Sequence, residues 1–356
     1  MRWDRRLWTR LPARLRRGAR PLGVRALSFA LRARAMVDAR VPATHVVCEG
    51  RAHGGGKIRA VMIGTPQELA SLRRKIFAVT PDEQPAAPVP LTRLAAAVEA
   101  HADADLVLAL APRWASAALP ASLTRFDEGV ELLVPVPEAL ASWRAGDAPL
   151  GKYRRRMERA GLTVSLTRDE EELARFHARF YLPYVRARFG DAADPRRLAF
   201  VRARDWELLR VHRGAEWIAG GVGLVADDAY RFLDVGYRDG DRAPLDDGAG
   251  HALYAAALER AAERGLPRLD LGPERPFLGD PGVRYKRQWG ARVAPTPWAA
   301  RTLGVRARDG EATRALFTQS PLVRPRDGGM EAFTPSPLSR WRDLGVSRTT
   351  WPLRGV

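Results

Sequence analysis

Residues 269–291 read LDLGPERPFLGDPGVRYKRQWGA, and this stretch decides how the rest of the chain is read. PRLDLG (267–272) alternates apolar and polar residues as a strand does and breaks at Gly272. GVRYKRQWGAR (282–292) then reads as a short helix. Lys286 inside it is unusual: of 59 basic residues only Lys57, Lys75, Lys152 and Lys286 are lysine. Lysine here was not chosen by composition alone, although a solvated helix lysine is the plain alternative. Asp270, at the strand end, can accept a proton from an amine or orient it; it can also simply cap the turn at Gly272.

Working upstream, WELLRVHR, WIAGGVGLVA and AYRFLDVGY are three consecutive strand signals joined by tight turns, an antiparallel meander. A polar loop, RDGDRAPLDDGAG (238–250), leads into a helix from Gly248 to Arg264 with Leu253, Ala257, Leu258 and Ala261 on one face. Before the meander come a basic helix at 147–160, the strand TVSLT, and a helix for which Thr167 and Glu170 supply a capping box. Downstream, RVAPTPWAART reads as a last strand, and after residue 300 the periodicity fades into a Pro/Gly/Arg-rich extension.

The earlier half is also α/β. THVVCEG and KIRAVMIG are strands around a turn at Gly54 to Gly56, PQELASLRRKIFA opens a helix at Pro66, and DLVLALA and GVELLVPVP are further strands. The expected organisation is an arm at 1–40, a lobe at 41–146, a second lobe at 147–300 and an extension at 301–356.

Composition removes several functions. No apolar run approaches the roughly 18 residues of a spanning helix. A single cysteine, Cys48, excludes an internal disulfide and zinc sites built on several thiolates, and suits a reducing cytoplasmic setting. The net charge of +18 is concentrated in residues 1–40, where twelve arginines face Asp4 and Asp38. That arm, with Trp3, Leu7, Trp8, Leu11 and Leu15, reads as a disordered basic extension or the product of a misplaced start codon, or as an amphipathic helix offering peripheral contact with an anionic membrane. Gly221, Gly223 and Ala226 satisfy a dinucleotide-binding expression but fall inside a strand, and GGGKI lacks the first glycine and the Ser or Thr of a phosphate loop. The histidines show no ligand spacing, so no metal site is expected.

The order helix, meander, loop, helix, strand, short helix, strand resembles the Gcn5-related N-acyltransferase (GNAT) fold, in the branch related to Fem-type aminoacyltransferases. GKYRRRMERAG (151–161), the meander into the Gly248 helix, and above all the D-x-G strand end followed by Y-K-x-x-W-G carry the resemblance. It implies a mixed α/β sheet with an antiparallel meander flanked by helices, with the first half a degenerate second copy. It also implies transfer of an acyl or aminoacyl group from acyl-CoA or aminoacyl-tRNA to an amine, with no bound cofactor and with cell-envelope acceptors common. It places Lys286 where ordinary acetyltransferases carry the tyrosine that protonates the leaving group. Lys286, Asp270 and Tyr285 are therefore the candidate catalytic residues. Gly248, Gly250 and Arg242 are candidates for the donor, although Leu245 stands where the donor loop usually has a cation and Asp246 and Asp247 add negative charge. Lys152, Arg155, Arg156 and Asp234 are candidates for substrate contacts; the basic helix reads equally as a solvated face. His212 and His251 read as structural and Trp289 as core. The alternative to an enzyme is a non-catalytic module binding RNA or a membrane through the arm.

Overall fold

The computed structural model describes residues 43–351 apart from 85–86, 191–192, 194, 227 and 297–298. Along the chain, β1 (Ala43–Arg51) and β2 (Lys57–Gly64) precede α1 (Pro66–Ile76), β3 (Asp82–Glu83), β4 (Ala87–Val89) and α2 (Leu94–Glu99). Next come β5 (Leu106–Pro112), β6 (Thr124–Asp127), β7 (Val130–Pro135), α3 (Val136–Ala145), α4 (Leu150–Arg159) and β8 (Leu162–Thr167). α5 (Glu170–Phe176) runs through a wide turn at His177–Tyr181 into α6 (Leu182–Phe189), and α7 is Leu198–Arg202. The meander is β9 (Trp206–Arg213), β10 (Glu216–Val225) and β11 (Ala229–Tyr237), followed by α8 (Ala249–Glu263), β12 (Arg268–Glu274) and α9 (Pro281–Arg287). The chain ends with β13 (Arg292–Pro295), β14 (Arg301–Ala307), α10 (Glu311–Gln319), β15 (Leu322–Arg326), β16 (Gly329–Phe333) and β17 (Val346–Thr350).

These elements form two compact units. The first holds the described residues up to 130, with 273–284 and 293 onward; the second holds 131–272 and 285–292. Both expected boundaries move. α3 belongs with the second lobe rather than the first, because Val136 N–H bonds to Pro267 and Trp143 Nε1 donates to Glu259 of α8. The stretch after 300 is no irregular extension: β14 pairs with β5 over seven residues, α10 buries Leu316 and Phe317, and β15–β17 make a small sheet.

In the first unit the main sheet runs β3-β1-β2-β5-β14-β6. All seven residues of β5 are buried. Leu106, Leu108 and Leu110 enter one apolar cluster, and Val107, Ala109 and Ala111 enter another on the opposite face. That explains why DLVLALA shows no polar alternation. Thr65 caps α1 through a reciprocal box with Glu68, and Pro66 occupies the first turn. The look-alike phosphate loop is a turn between β1 and β2, with Lys57 in a strand and paired to Glu49.

In the second unit the strands run β7-β12-β11-β10-β9-β8, antiparallel from β8 to β11, with β12 parallel to β11. α8 buries Ala252, Leu253, Ala255, Ala257, Leu258 and Ala261. Phe176, Phe180, Trp217 and Val222 form the cluster that packs α5 and α6 on the sheet. Gly236 lets that packing close: a Cβ there would lie 2.5 Å from the Phe180 carbonyl carbon. The cap of α5 is Asp169, not Thr167; its carboxylate accepts from Glu171 and Glu172, while Thr167 accepts from Asp169 N–H. RVAPTPWAART divides into β13 and the start of β14, and Gly221 and Gly223 lie within β10, as a strand reading requires.

Candidate active site

The parallel pair β11–β12 is short. Ladder partners are Ala229–Arg268, Tyr230–Leu269 and Arg231–Asp270, and beyond them the strands part, although β11 continues to Tyr237 and β12 to Glu274. From Phe232 onward β11 has no ladder partner on β12 among the described residues, the opening referred to below as the wedge. A bulge at the wedge reinforces this. Gly221 pairs with Val235 and Val222 with Leu233, so Asp234 is the extra residue, at φ 37°. A non-glycine residue held in that region signals a position fixed by its surroundings.

Two carboxylates flank the opening. Asp270 lies within β12 rather than at its end, since the strand continues past Gly272 to Glu274; its carboxylate accepts from Gly272 N–H at 2.8 Å, and its other oxygen lies 3.2 Å from Arg231 Nε. Asp234 has a buried carboxylate that meets Arg196 Nη1 at 2.5 Å and also takes a hydrogen bond from Tyr181. Burial raises the Asp234 pKa, and Arg196 pulls the other way.

Lys286 is 7% exposed, which removes the solvated-lysine reading. Burying an ammonium costs free energy unless polar partners compensate, and a long lysine stem in a core needs a reason. Tyr285 beside it is half-buried, its hydroxyl 2.8 Å from His251 Nδ1. Burial holds the Tyr285 pKa well above that of an ordinary phenol, with Tyr254 adding to the effect. Burial also pushes the His251 pKa down to about 4, helped by Arg156, so the imidazole is neutral at neutral pH. Tyr153 of α4 stacks flat on His251 with ring centroids 3.6 Å apart. Trp289 is 1% exposed and is core, as expected. His212 meets Ser165 at 3.1 Å between β9 and β8, a structural role.

Gly248 and Gly250 stand at the start of α8. Gly248, at φ 95°, is its N-cap, and no side chain caps the first turn. A Cβ on Gly250 would lie 2.9 Å from the Tyr237 hydroxyl. The missing cation of this loop has a neighbour from another element: the Arg156 side chain packs 3.4 Å from where a Gly248 Cβ would be. Asp247, which read as a repulsive charge, is paired with Arg213. Arg242 is exposed ahead of the one-turn helix Ala243–Asp246, and Lys152 and Arg155 are exposed on α4. The structure thus joins Arg156 to Gly248, Tyr285 to the Gly250 end of α8, and Asp234 and Asp270 to one wedge. Sequence reading missed Arg196, Tyr181 and Arg213, because one arginine among 55 carries no signal.

Residues 148–287 match the family model of the acetyltransferase (GNAT) domain. These residues form a GNAT acyltransferase domain. The structure is similar to that of FemX, at 12% identity over 69% of this chain and 80% of that one, with a TM-score of 0.38. L-PGS from Bacillus licheniformis is similar at 13% over 77% and 88%, with a TM-score of 0.35. A GCN5-related N-acetyltransferase from Kribbella flavida shares 16% over 71% and 82%, with a TM-score of 0.30. No curated protein matches the sequence. The matched domain is that of an acyltransferase, and within it the β11–β12 ladder ends at Arg231–Asp270. Among the described residues no cluster of His, Cys, Asp and Glu suits a metal, and no helix is long and apolar enough to cross a membrane. The arm at 1–40 lies outside the described residues.

Proposed function

We propose that the GNAT domain moves an acyl or aminoacyl group from a large anionic carrier, acyl-CoA or aminoacyl-tRNA, onto an amine. The wedge beyond Arg231 and Asp270 is the observation that carries this reading. Amine attack on a thioester or ester needs the carbonyl held in line and its developing oxyanion met by fixed donors. Open N–H groups on a parted strand meet that need without a serine nucleophile. Lys286 supplies a buried cation for the oxyanion or a carrier phosphate, and Tyr285 a neutral hydroxyl for the leaving group. The stem of Arg156 packs beside Gly248 at the start of α8, and its guanidinium is the cation offered to an anionic carrier in place of the one Leu245 lacks.

The resemblance to the Fem branch suggests cell-envelope or polysaccharide-linked amines as acceptors. Cys48, fully buried and with its thiol pushed up to about 11 by burial, fits a packed residue of a reducing cytoplasmic compartment. Calorimetric titration with acetyl-CoA at physiological salt tests the donor. Saturable micromolar binding, weakened about tenfold in Arg156→Ala, supports a coenzyme A carrier. Absence of binding at millimolar donor directs the same assay to aminoacyl-tRNA. Failure with both carriers defeats the proposal.

A further inference from the structure

Arg196 is held more firmly than an arginine in a loop needs to be. Its backbone N–H donates to the Tyr181 hydroxyl at 2.8 Å, and its carbonyl accepts from His177 Nε2 at 2.9 Å. Its guanidinium lies over the Phe200 ring and meets Asp234 at 2.5 Å. Asp234 is the bulged residue of β11 beside the wedge, with φ 37° and a carboxylate that is 6% exposed. A left-handed backbone position, a buried carboxylate and a guanidinium held by Phe200 and Asp234, on a backbone held by Tyr181 and His177, converge at one place.

Such a pair constrains what can replace it. A molecule bearing only an ammonium would take Asp234 and leave the half-exposed Arg196 guanidinium without its carboxylate partner. One bearing only an anion would take Arg196 and strand Asp234 in a buried site, where an uncompensated charge is costly. A molecule that carries both exchanges with both partners at once and leaves no charge unpaired. Resting on the acyl-transfer reading above, we propose that the Arg196–Asp234 pair is the recognition site for the acceptor, and that the acceptor is an amine carrying a carboxylate or a phosphate a few atoms from its nitrogen. The guanidinium takes the anionic group, and the Asp234 carboxylate holds the ammonium at the edge of the wedge. Arg231 and Asp270, the other ion pair at this opening, are tied to each other and to the Gly272 turn and so remain in place.

The test is calorimetric binding to the full chain of four probes: phosphoethanolamine and β-alanine, which carry both charges, ethanolamine, which carries only the cation, and propionate, which carries only the anion. The two doubly charged probes are expected to bind about tenfold or more tightly than either singly charged one. Arg196→Gln and Asp234→Asn should each remove that preference, the double variant should lose nothing more, and Arg196→Lys should keep part of it. Acetyl-CoA titrated into the same variants, with thermal melting alongside, shows whether the fold and donor site survive. Equal binding of all four probes, or an unchanged preference in Arg196→Gln, overturns the inference and leaves the acyl-transfer reading standing. Absence of donor binding by the unmodified chain, for both acetyl-CoA and aminoacyl-tRNA, defeats that reading instead.

Discussion

The two units each contain a parallel strand pair inside a largely antiparallel sheet, and the two pairs are built to opposite ends. In the first unit β2 and β5 pair from Ala60–Leu106 to Ile63–Ala109, and β5 sends alternate side chains into apolar clusters on both faces. In the second, β11 and β12 separate after three residue pairs, and the residues around the opening are Arg231, Asp234 and Asp270. Apolar residues on both faces close one junction. The second ladder, three pairs long against four in the first, ends among charged residues, with a bulge at Asp234 and Gly272 at φ 79°. Under the proposed function the second junction is the site and the first is scaffold.

The comparison is sharpened most by Lys286→Ala. If the open junction is the site, transfer per folded molecule should fall by about 10²–10³-fold, the loss typical of one oxyanion-stabilising group, with melting and donor binding measured alongside to separate lost chemistry from lost fold or lost phosphate contact. A variant that turns over normally would remove Lys286 from the mechanism. Leu108→Ala tests the closed junction and should cost about 2–5 kcal/mol of stability in chemical denaturation, with turnover per folded molecule unchanged. Loss of turnover beyond the unfolded fraction would show that the first junction is not mere scaffold.

Glu207 provides the next test. It is wholly buried in β9 beneath Arg168, Arg260 and Arg264. Burial alone would raise its pKa, but hydrogen bonds from Arg260, Arg168 and Arg264 outweigh it and hold the group at about 2. A depressed folded pKa stabilises the protein above the unfolded value near 4.5. That stability should fade as pH falls from about 4.5 towards 2, and an acid titration of Glu207→Gln should lack this step. Removing one charge from the cluster should cost about 2–3 kcal/mol at neutral pH. The smallest effect belongs to Gly248→Ala. An alanine at φ 95° costs about 1–2 kcal/mol, and its methyl group would press on Met157 and Arg156. Donor binding measured by calorimetry should weaken several-fold; unchanged affinity would place the donor away from α8.

Much of the second unit was legible because its elements are local. The meander, the Gly248 helix and the D-x-G strand end each carry their own period or break. The tail after residue 300 was not legible, since β14 is a strand only by pairing with β5 and β6, far away in sequence. The edge of the second lobe was misjudged for the same reason: α3 is assigned by what it packs against, and Gly146 looks like a boundary only locally.

The candidate site divides in the same way. Composition alone singled out Lys286, because a rare residue type in a short helix is a local fact, and the turn at Gly272 drew attention to Asp270. The partners came only from the tertiary structure. Arg196 reaches Asp234 across 38 residues of chain, Arg213 reaches Asp247 across 34, and His251 reaches Tyr285 across 34. Sequence fixes which charges and periods exist, since those are properties of single residues and their near neighbours. Which charges neutralise one another, and where two strands stop pairing, depends on long-range packing, and so is decided only when the chain is folded.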